Sequence, residues 1–137
     1  MAKYKIGYTT GVFDLFHIGH LEILKKSKEQ CDILIVGVST DELTYSYKGH
    51  YPDMNYEERA EIVRAIRYVD EVVPQESMDK LVAWNKLHFD VMFHGDDWKN
   101  SEMYIENERK LAEVGVKTIY FPYTNGVSSS ERRQHHT

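Results

Sequence analysis

Cysteine is almost missing from this sequence: Cys31 is the one in 137 residues. A lone cysteine excludes an internal disulfide framework. With no Cys pair and no HExxH string, the common zinc ligand sets are missing too. Positive charge is in deficit, with 17 Lys and Arg against 22 Asp and Glu and a net charge of −5. Without a basic stripe, nucleic acid is not expected as the main partner. An anionic ligand then has to be held by a local cluster of positive groups, not drawn by the overall field. No apolar run approaches the roughly 20 residues that cross a membrane, and nothing at the N-terminus resembles a signal peptide. The expectation is a cytoplasmic protein in which Cys31, preceding a buried-looking strand, is a structural thiol. Proline (3) and glycine (8) are few, and no repeat, linker or low-complexity stretch divides the chain. One domain over residues 1–137, with a single well-buried core, is the organisation these absences leave.

Strand-like and helix-like segments alternate along the chain. Tyr4 to Thr9 reads as a strand and Ile18 to Gln30 as a helix. The apolar run Asp32 to Val38 has the character of a central parallel strand covered on both faces. A polar stretch from Ser39 to Asn55 reads as a long loop, a feature that in compact domains tends to serve function. Asn55 is placed as the cap of a helix with Glu57 and Glu58 in its first turn and Ile62, Val63 and Ile66 on its buried stripe. Arg59 and Arg67, eight residues apart, then lie about two turns apart on one face of it. A strand from Tyr68 to Val73 is closed by Pro74, and Ser77 caps a helix through Leu87. Asp90 to His94 is strand, a helix from Asn100 or Ser101 ends near Gly115, and Val116 to Phe121 is the last strand. Ser128 to Gln134 reads as a short terminal helix. This βαβαβαβαβα order calls for an α/β fold: a Rossmann-like, three-layer αβα arrangement around a five-stranded parallel sheet. Ligands in such sheets bind outside the C-terminal strand ends, where the strand order reverses.

The stretch from Thr10 to His20, TGVFDLFHIGH, joins the first strand to the first helix. Strand, tight loop and helix N-terminus in that order make a place for an anion, because unpaired amides and the positive end of the helix dipole converge there. Gly11 is read as the point of the sharp turn, and Gly19 as a place where backbone and phosphate approach closely. His17 and His20, three apart, fall on one side of the first helical turn. By itself an HxxH pair is as well explained by a cap, a surface pair or two metal ligands. The whole string points to a nucleoside triphosphate site with two imidazoles facing the phosphates.

GVFDLFHIGH resembles the signature of the cytidylyltransferase family within the HxGH nucleotidyltransferases. So, in order, do Asp41-Glu42-Leu43, Lys48-Gly49, Glu57-Glu58-Arg59, Arg67 to Val73 (RYVDEVV) and Gly95-Asp96-Asp97-Trp98. Together these cover nearly the whole chain. The size and the GDDW segment are most similar to the glycerol-3-phosphate cytidylyltransferases. The resemblance implies a CTP-dependent enzyme, with CTP as a substrate and Mg2+ or another divalent cation as cofactor.

It also implies roles for residues. Gly11, Val12 and Phe13 belong to the nucleotide loop, and His17 and His20 stabilise the reacting α-phosphorus, as imidazolium or as neutral N–H donors. Lys48 bridges the triphosphate and the incoming phosphate. Arg59 braces the site or a dimer, and Arg67 lies near the phosphates at a subunit interface. Asp97 and Trp98 line the nucleotide and acceptor pocket. Asp14 and Asp97 are the candidate Mg2+ ligands; alternatively Asp14 holds the loop by accepting backbone N–H bonds. Tyr123, Thr124, Gly126, Ser128 and Ser129 match the family's RTEGIST segment, which binds cytosine and phosphates. Here the chain departs, with Tyr123 where the family has Arg and Asn125 where it has Glu, and an Arg lost there removes a fixed charge and a bidentate donor.

The leading expectation is CDP-glycerol and pyrophosphate from CTP and glycerol 3-phosphate, by a homodimer with no membrane or nucleic-acid partner. Phosphocholine, phosphoethanolamine or another phosphate or phosphonate as acceptor, adenylyl transfer, and a non-catalytic nucleotide-binding subunit are the alternatives.

Overall fold

A computed structural model of the chain describes residues 3–95 and 101–122. Its elements are, in order, β1 (Tyr4–Gly11), α1 (Ile18–Glu29), β2 (Cys31–Ser39), α2 (Asp41–Lys48), α3 (Tyr56–Arg64), β3 (Glu71–Gln75), α4 (Lys80–Leu87), β4 (Val91–Gly95), α5 (Glu102–Glu113) and β5 (Lys117–Phe121). The five strands form one parallel sheet in the order β3-β2-β1-β4-β5. The order reverses between β1 and β4, so the mouth for a ligand lies at the C-terminal ends of these two strands.

Alternation along the strands divides the core between the sheet's faces. Leu34, Val36 and Val38 of β2 pack with Leu24, Val63, Val91 and Phe93 on one side. Ile35, Tyr8 and Met92 pack with Phe89, Leu111 and Val116 on the other. Because both faces are covered, β2 reads in sequence as one unbroken apolar run. No helix among the described residues is long and apolar enough to cross a membrane.

The structure departs from the local expectations at five points. The stretch expected as a loop from Ser39 to Asn55 contains α2. Thr40 caps it by accepting the Leu43 N–H (3.1 Å), Asp41 and Glu42 fill its first turn, and Gly49 ends it in the left-handed region at φ 80°. Those are the ordinary start and stop signals of a helix, here on a segment with too little apolar residue to show a stripe. Pro74 does not close β3 but lies inside it; β3 is an edge strand, where a residue without an N–H costs no ladder bond. Helix α4 starts at Lys80, capped by Asp79, whose carboxylate accepts the Leu81 N–H (3.0 Å); Ser77 instead accepts the Asp79 N–H. Helix α3 ends at Arg64, capped at its start by Asn55 as expected, so Arg67 is not on it. Its buried stripe is Arg59, Ala60 and Val63, and Ile62 is exposed.

Candidate active site

The loop from β1 to α1 turns sharply at Phe13 (φ 56°) and Leu15 (φ 51°), two non-glycine residues in the left-handed region. Such residues cost free energy and persist where the surroundings over-determine them, often at functional sites. Gly11 is not the turning point. It is the last residue of β1, and a Cβ there would sit 3.0 Å from the Phe13 ring, so its bareness makes room for that ring. Phe13 is buried, stacks on Phe16 and meets His20 edge-on at 5.4 Å.

The two histidines sit side by side at the start of α1, His17 as its cap and His20 within the first turn. They form a reciprocal capping box. The Gly19 N–H donates to His17 Nδ1 (3.1 Å), and the His17 N–H donates to His20 Nδ1 (3.2 Å). Their rings stack with centroids 4.0 Å apart. An Nδ1 that accepts a hydrogen bond carries no proton, so each ring is neutral with its proton on Nε2. Of the two forms left open by the sequence, these contacts select neutral N–H donors. Two Nε2–H groups and the positive end of α1 therefore share one locality, an arrangement suited to phosphate oxygens.

Asp14 is buried and its two carboxylate oxygens accept the N–H groups of Asp53 (2.8 Å) and Met54 (3.0 Å). Of the two roles read for it, these contacts fill the loop-holding one. Asp97, the other candidate Mg2+ ligand, lies outside the described residues, and no group of three metal-ligating side chains occurs among the described ones.

Arg59 is fully buried and works as a brace. It donates to the carbonyls of Met54 (2.9 Å), Val12 (2.7 Å) and Ser39 (2.8 Å) and to the Asp41 carboxylate (2.6 Å). One planar fork thus joins the β1–α1 loop, the end of β2, the start of α2 and the segment leading into α3. Lys48 rides in the last turn of α2, whose first residue this fork anchors. Arg67 is elsewhere. It is exposed, beyond the end of α3 and before β3, packed on the Tyr68 ring and donating to its hydroxyl (3.0 Å). That is the edge of the sheet from which the strands start, so within one chain Arg67 is not brought to the His17–His20 pair. Asp97, Trp98, Tyr123, Thr124, Gly126, Ser128 and Ser129 lie outside the described residues.

Sequence reasoning missed Lys80. Its residue is 1% exposed, and its ammonium donates to Thr10 Oγ1 (3.0 Å) and Gln75 Oε1 (2.7 Å) at the C-terminal ends of β1 and β3. Burial pushes it down to about 7, since the charged form has only neutral partners there. Nearby His94, at the end of β4, is pushed down to about 3 by burial and then by the Lys80 charge. The available signal was a lysine heading an apolar stripe: Lys80, Ala83, Trp84 and Leu87 share one face of α4 by spacing. Cys31 is buried as expected and pushed up to about 11 by that burial, an inert thiol.

Comparison with known proteins bears on this site. The cytidylyltransferase-like family model matches residues 8–135. The chain is 37% identical over 126 residues to the glycerol-3-phosphate cytidylyltransferase of Bacillus spizizenii, covering 90% of each. It is 45% identical over 134 residues to the ethanolamine-phosphate cytidylyltransferase of Dictyostelium discoideum, covering 93% of this chain and 36% of that protein. It is 40% identical over 116 residues to the FAD synthase of Pyrococcus abyssi, covering 82% of this chain and 77% of that one.

Proposed function

The chain belongs to the cytidylyltransferase-like family and is a CTP-dependent nucleotidyltransferase, and from that premise we propose that its acceptor is glycerol 3-phosphate. A phosphate oxygen of the acceptor attacks the α-phosphorus of CTP; the bond from that phosphorus to the bridging oxygen breaks, and pyrophosphate leaves with the electron pair. The products are CDP-glycerol and pyrophosphate, suited to building an envelope or capsule polymer. The observation that carries the chemistry is the stacked His17–His20 box, with both Nδ1 atoms engaged by backbone amides. It fixes two Nε2–H donors before the reaction starts, so charge shifting onto the α-phosphate oxygens meets dipoles that need no reorganisation.

Lys48 supplies positive charge from one side, and Lys80 does so from the other once the acceptor's negative charge favours its protonated form. Lys48 comes from α2 to the triphosphate and the incoming phosphate. Lys80, buried with neutral partners at the strand ends, meets the acceptor phosphate. Bound with CTP, Mg2+ would supply charge neutralisation at the leaving pyrophosphate. The functional unit in this proposal is a cytoplasmic homodimer, in which a second copy brings Arg67 toward the phosphates. From the family resemblance, Asp97, Trp98 and the segment Tyr123 to Ser129 are assigned in this reading to recognition of the acceptor and cytosine.

A second reading keeps the chemistry and changes the acceptor to ethanolamine phosphate, supported by the 45% identity to the Dictyostelium enzyme. Pyrophosphate release decides between them, with CTP and Mg2+ against a panel of small phosphates and with ATP as the control nucleotide. Release with CTP and glycerol 3-phosphate upholds the proposal; release with ethanolamine phosphate alone moves the acceptor. Release with ATP alone would sink cytidylyl transfer, and silence across the panel while CTP still binds would leave a nucleotide-binding subunit.

A further inference from the structure

Lys80 is held by one residue that also touches the other side of the site. The Gln75 side chain accepts from the Lys80 ammonium through Oε1 (2.7 Å) and donates from Nε2 to Ser39 Oγ (3.2 Å), with Met78 Sδ at 3.5 Å. Its backbone carbonyl accepts the Thr40 N–H (3.1 Å), and Thr40 is the cap of α2. The Ser39 carbonyl in turn accepts from Arg59. One buried amide, in register with Ser39 across the β2–β3 pair, therefore connects Lys80 on α4 to the base of the helix that carries Lys48.

Polarity makes this connection directional. A primary amide has one acceptor end and one donor end. The donor end is committed to Ser39, which turns the oxygen toward the ammonium. Among the described residues, the other contact of that ammonium is a single hydroxyl, Thr10 Oγ1 (3.0 Å). A buried ammonium that loses its carbonyl acceptor keeps one weak partner and is no longer fixed in direction. The main-chain N–H of Lys80 is separately held by Asn107 Oδ1 (3.0 Å), so the helix start stays anchored when the side chain is released.

We propose that Gln75 is a positioning residue of the transfer reaction: it aims the Lys80 ammonium at the acceptor phosphate. This rests on the reading above that Lys80 meets the acceptor. Gln75 also lines a cavity of about 240 Å3 between β3 and α4, shared with Tyr8, Val73 and Leu87, which leaves room for an apolar replacement. Gln75→Met keeps the length and flexibility of the side chain while removing both hydrogen-bonding ends.

The test is steady-state kinetics of the full chain with Mg-CTP and whichever acceptor of the phosphate panel the wild type turns over, beside calorimetric CTP binding. Gln75→Met is expected to raise the acceptor KM about tenfold, the scale of one hydrogen bond to a charged group, with the CTP Kd within about twofold of wild type. Lys80→Met raises the acceptor KM at least as much. In the double variant the effect of Gln75→Met disappears, because the residue it acts through is already gone. Ser39→Ala, which frees the amide without touching Lys80, shifts the acceptor KM in the same direction by less and serves if Gln75→Met does not fold. A Gln75→Met effect that persists undiminished in the Lys80→Met background, or that raises CTP Kd in parallel, makes Gln75 merely structural and overturns the inference. Lys80→Met with an unchanged acceptor KM, or a wild type that turns over none of the panel, defeats the acceptor reading and this inference with it. A strong Lys80→Met effect beside silent Gln75 and Ser39 variants defeats this inference alone.

Discussion

Asp14 and Arg59 hold the same dipeptide, Asp53-Met54, by its amides and its carbonyl. The Asp14 carboxylate accepts the amides of Asp53 and Met54, and the Arg59 guanidinium donates to the Met54 carbonyl. Arg59 also holds Val12, Ser39 and Asp41, so its removal strands three carbonyls and a partly buried carboxylate. Arg59→Met is expected to lower unfolding free energy by about 3–5 kcal/mol in urea titrations, the scale for one missing partner in a buried ion pair. Arg59→Lys restores part of it, because an ammonium cannot reach four acceptors in one plane. A loss below about 1 kcal/mol for Arg59→Met would mean the brace is incidental.

Asp14→Asn separates the two roles read for that residue. An amide can accept one of the two backbone N–H groups but opposes the other with its own donor. Stability is therefore expected to fall by about 1–3 kcal/mol. If Asp14 only braces the loop, the Mg2+ concentration for half-maximal pyrophosphate release stays at its wild-type value. A large rise in that concentration in the stably folded variant would make Asp14 a metal ligand after all.

His17 combines a cap with a phosphate donor, and one substitution can divide them. Asparagine is among the best N-caps, so His17→Asn keeps an acceptor for the first-turn amides while losing Nε2–H. Thermal stability is expected near wild type, with turnover down about 10²–10³-fold, as for loss of one preorganised donor. His17→Ala loses both functions and costs a further ~1 kcal/mol of stability. Unchanged turnover in His17→Asn would remove the histidine from the chemistry.

These residues differ in how plainly the sequence announces them. The parallel sheet was legible because its signal is local and repeated: the apolar run of β2 and strand-helix alternation fix a doubly wound fold without knowledge of any contact. The His17–His20 pair was legible as a pair, yet its cap geometry was not, since the loop turns at Phe13 and Leu15, residues with no intrinsic preference for positive φ. Helix α2 has too few apolar residues for periodicity to reveal it, although Thr40, Asp41, Glu42 and Gly49 spell out both ends. Arg59, Gln75 and Lys80 form the hidden part. Each is a polar residue buried by partners 5–70 positions away, and only the tertiary fold brings those partners together.

His94 gives the protein an acid limb. Burial, and then the Lys80 charge, pushes its folded value down to about 3 from an ordinary 6.5. The unfolded chain therefore binds a proton between these values that the folded chain refuses. Stability contributed by neutral His94 is complete above about pH 6.5 and is lost as pH falls toward 3. His94→Phe, which can keep the ring packing against Tyr104, is expected to flatten this limb in urea titrations between pH 4 and 6.5. An unchanged slope would place the acid sensitivity elsewhere.

Lys80 acts on the alkaline side. Its folded value, about 7, lies below the ordinary 10.5 of an exposed lysine. Below pH 7 both states carry the charge, and the fold bears the full cost of burying it. Between about 7 and 10.5 the folded chain has released the proton and the unfolded chain has not, so stability rises with pH across that window, on the order of 1 kcal/mol per pH unit. Cys31, pushed up to about 11, opposes this trend above about pH 9, where the unfolded thiol ionises first. Wild-type stability alone is therefore ambiguous, and its difference from Lys80→Met is the informative quantity. That difference is expected to move in favour of the wild type as pH rises from 7 to 9 in parallel denaturant titrations. A constant difference would mean that Lys80 stays charged in the folded chain at neutral pH, and that its neutral partners stabilise an ammonium better than their chemistry indicates.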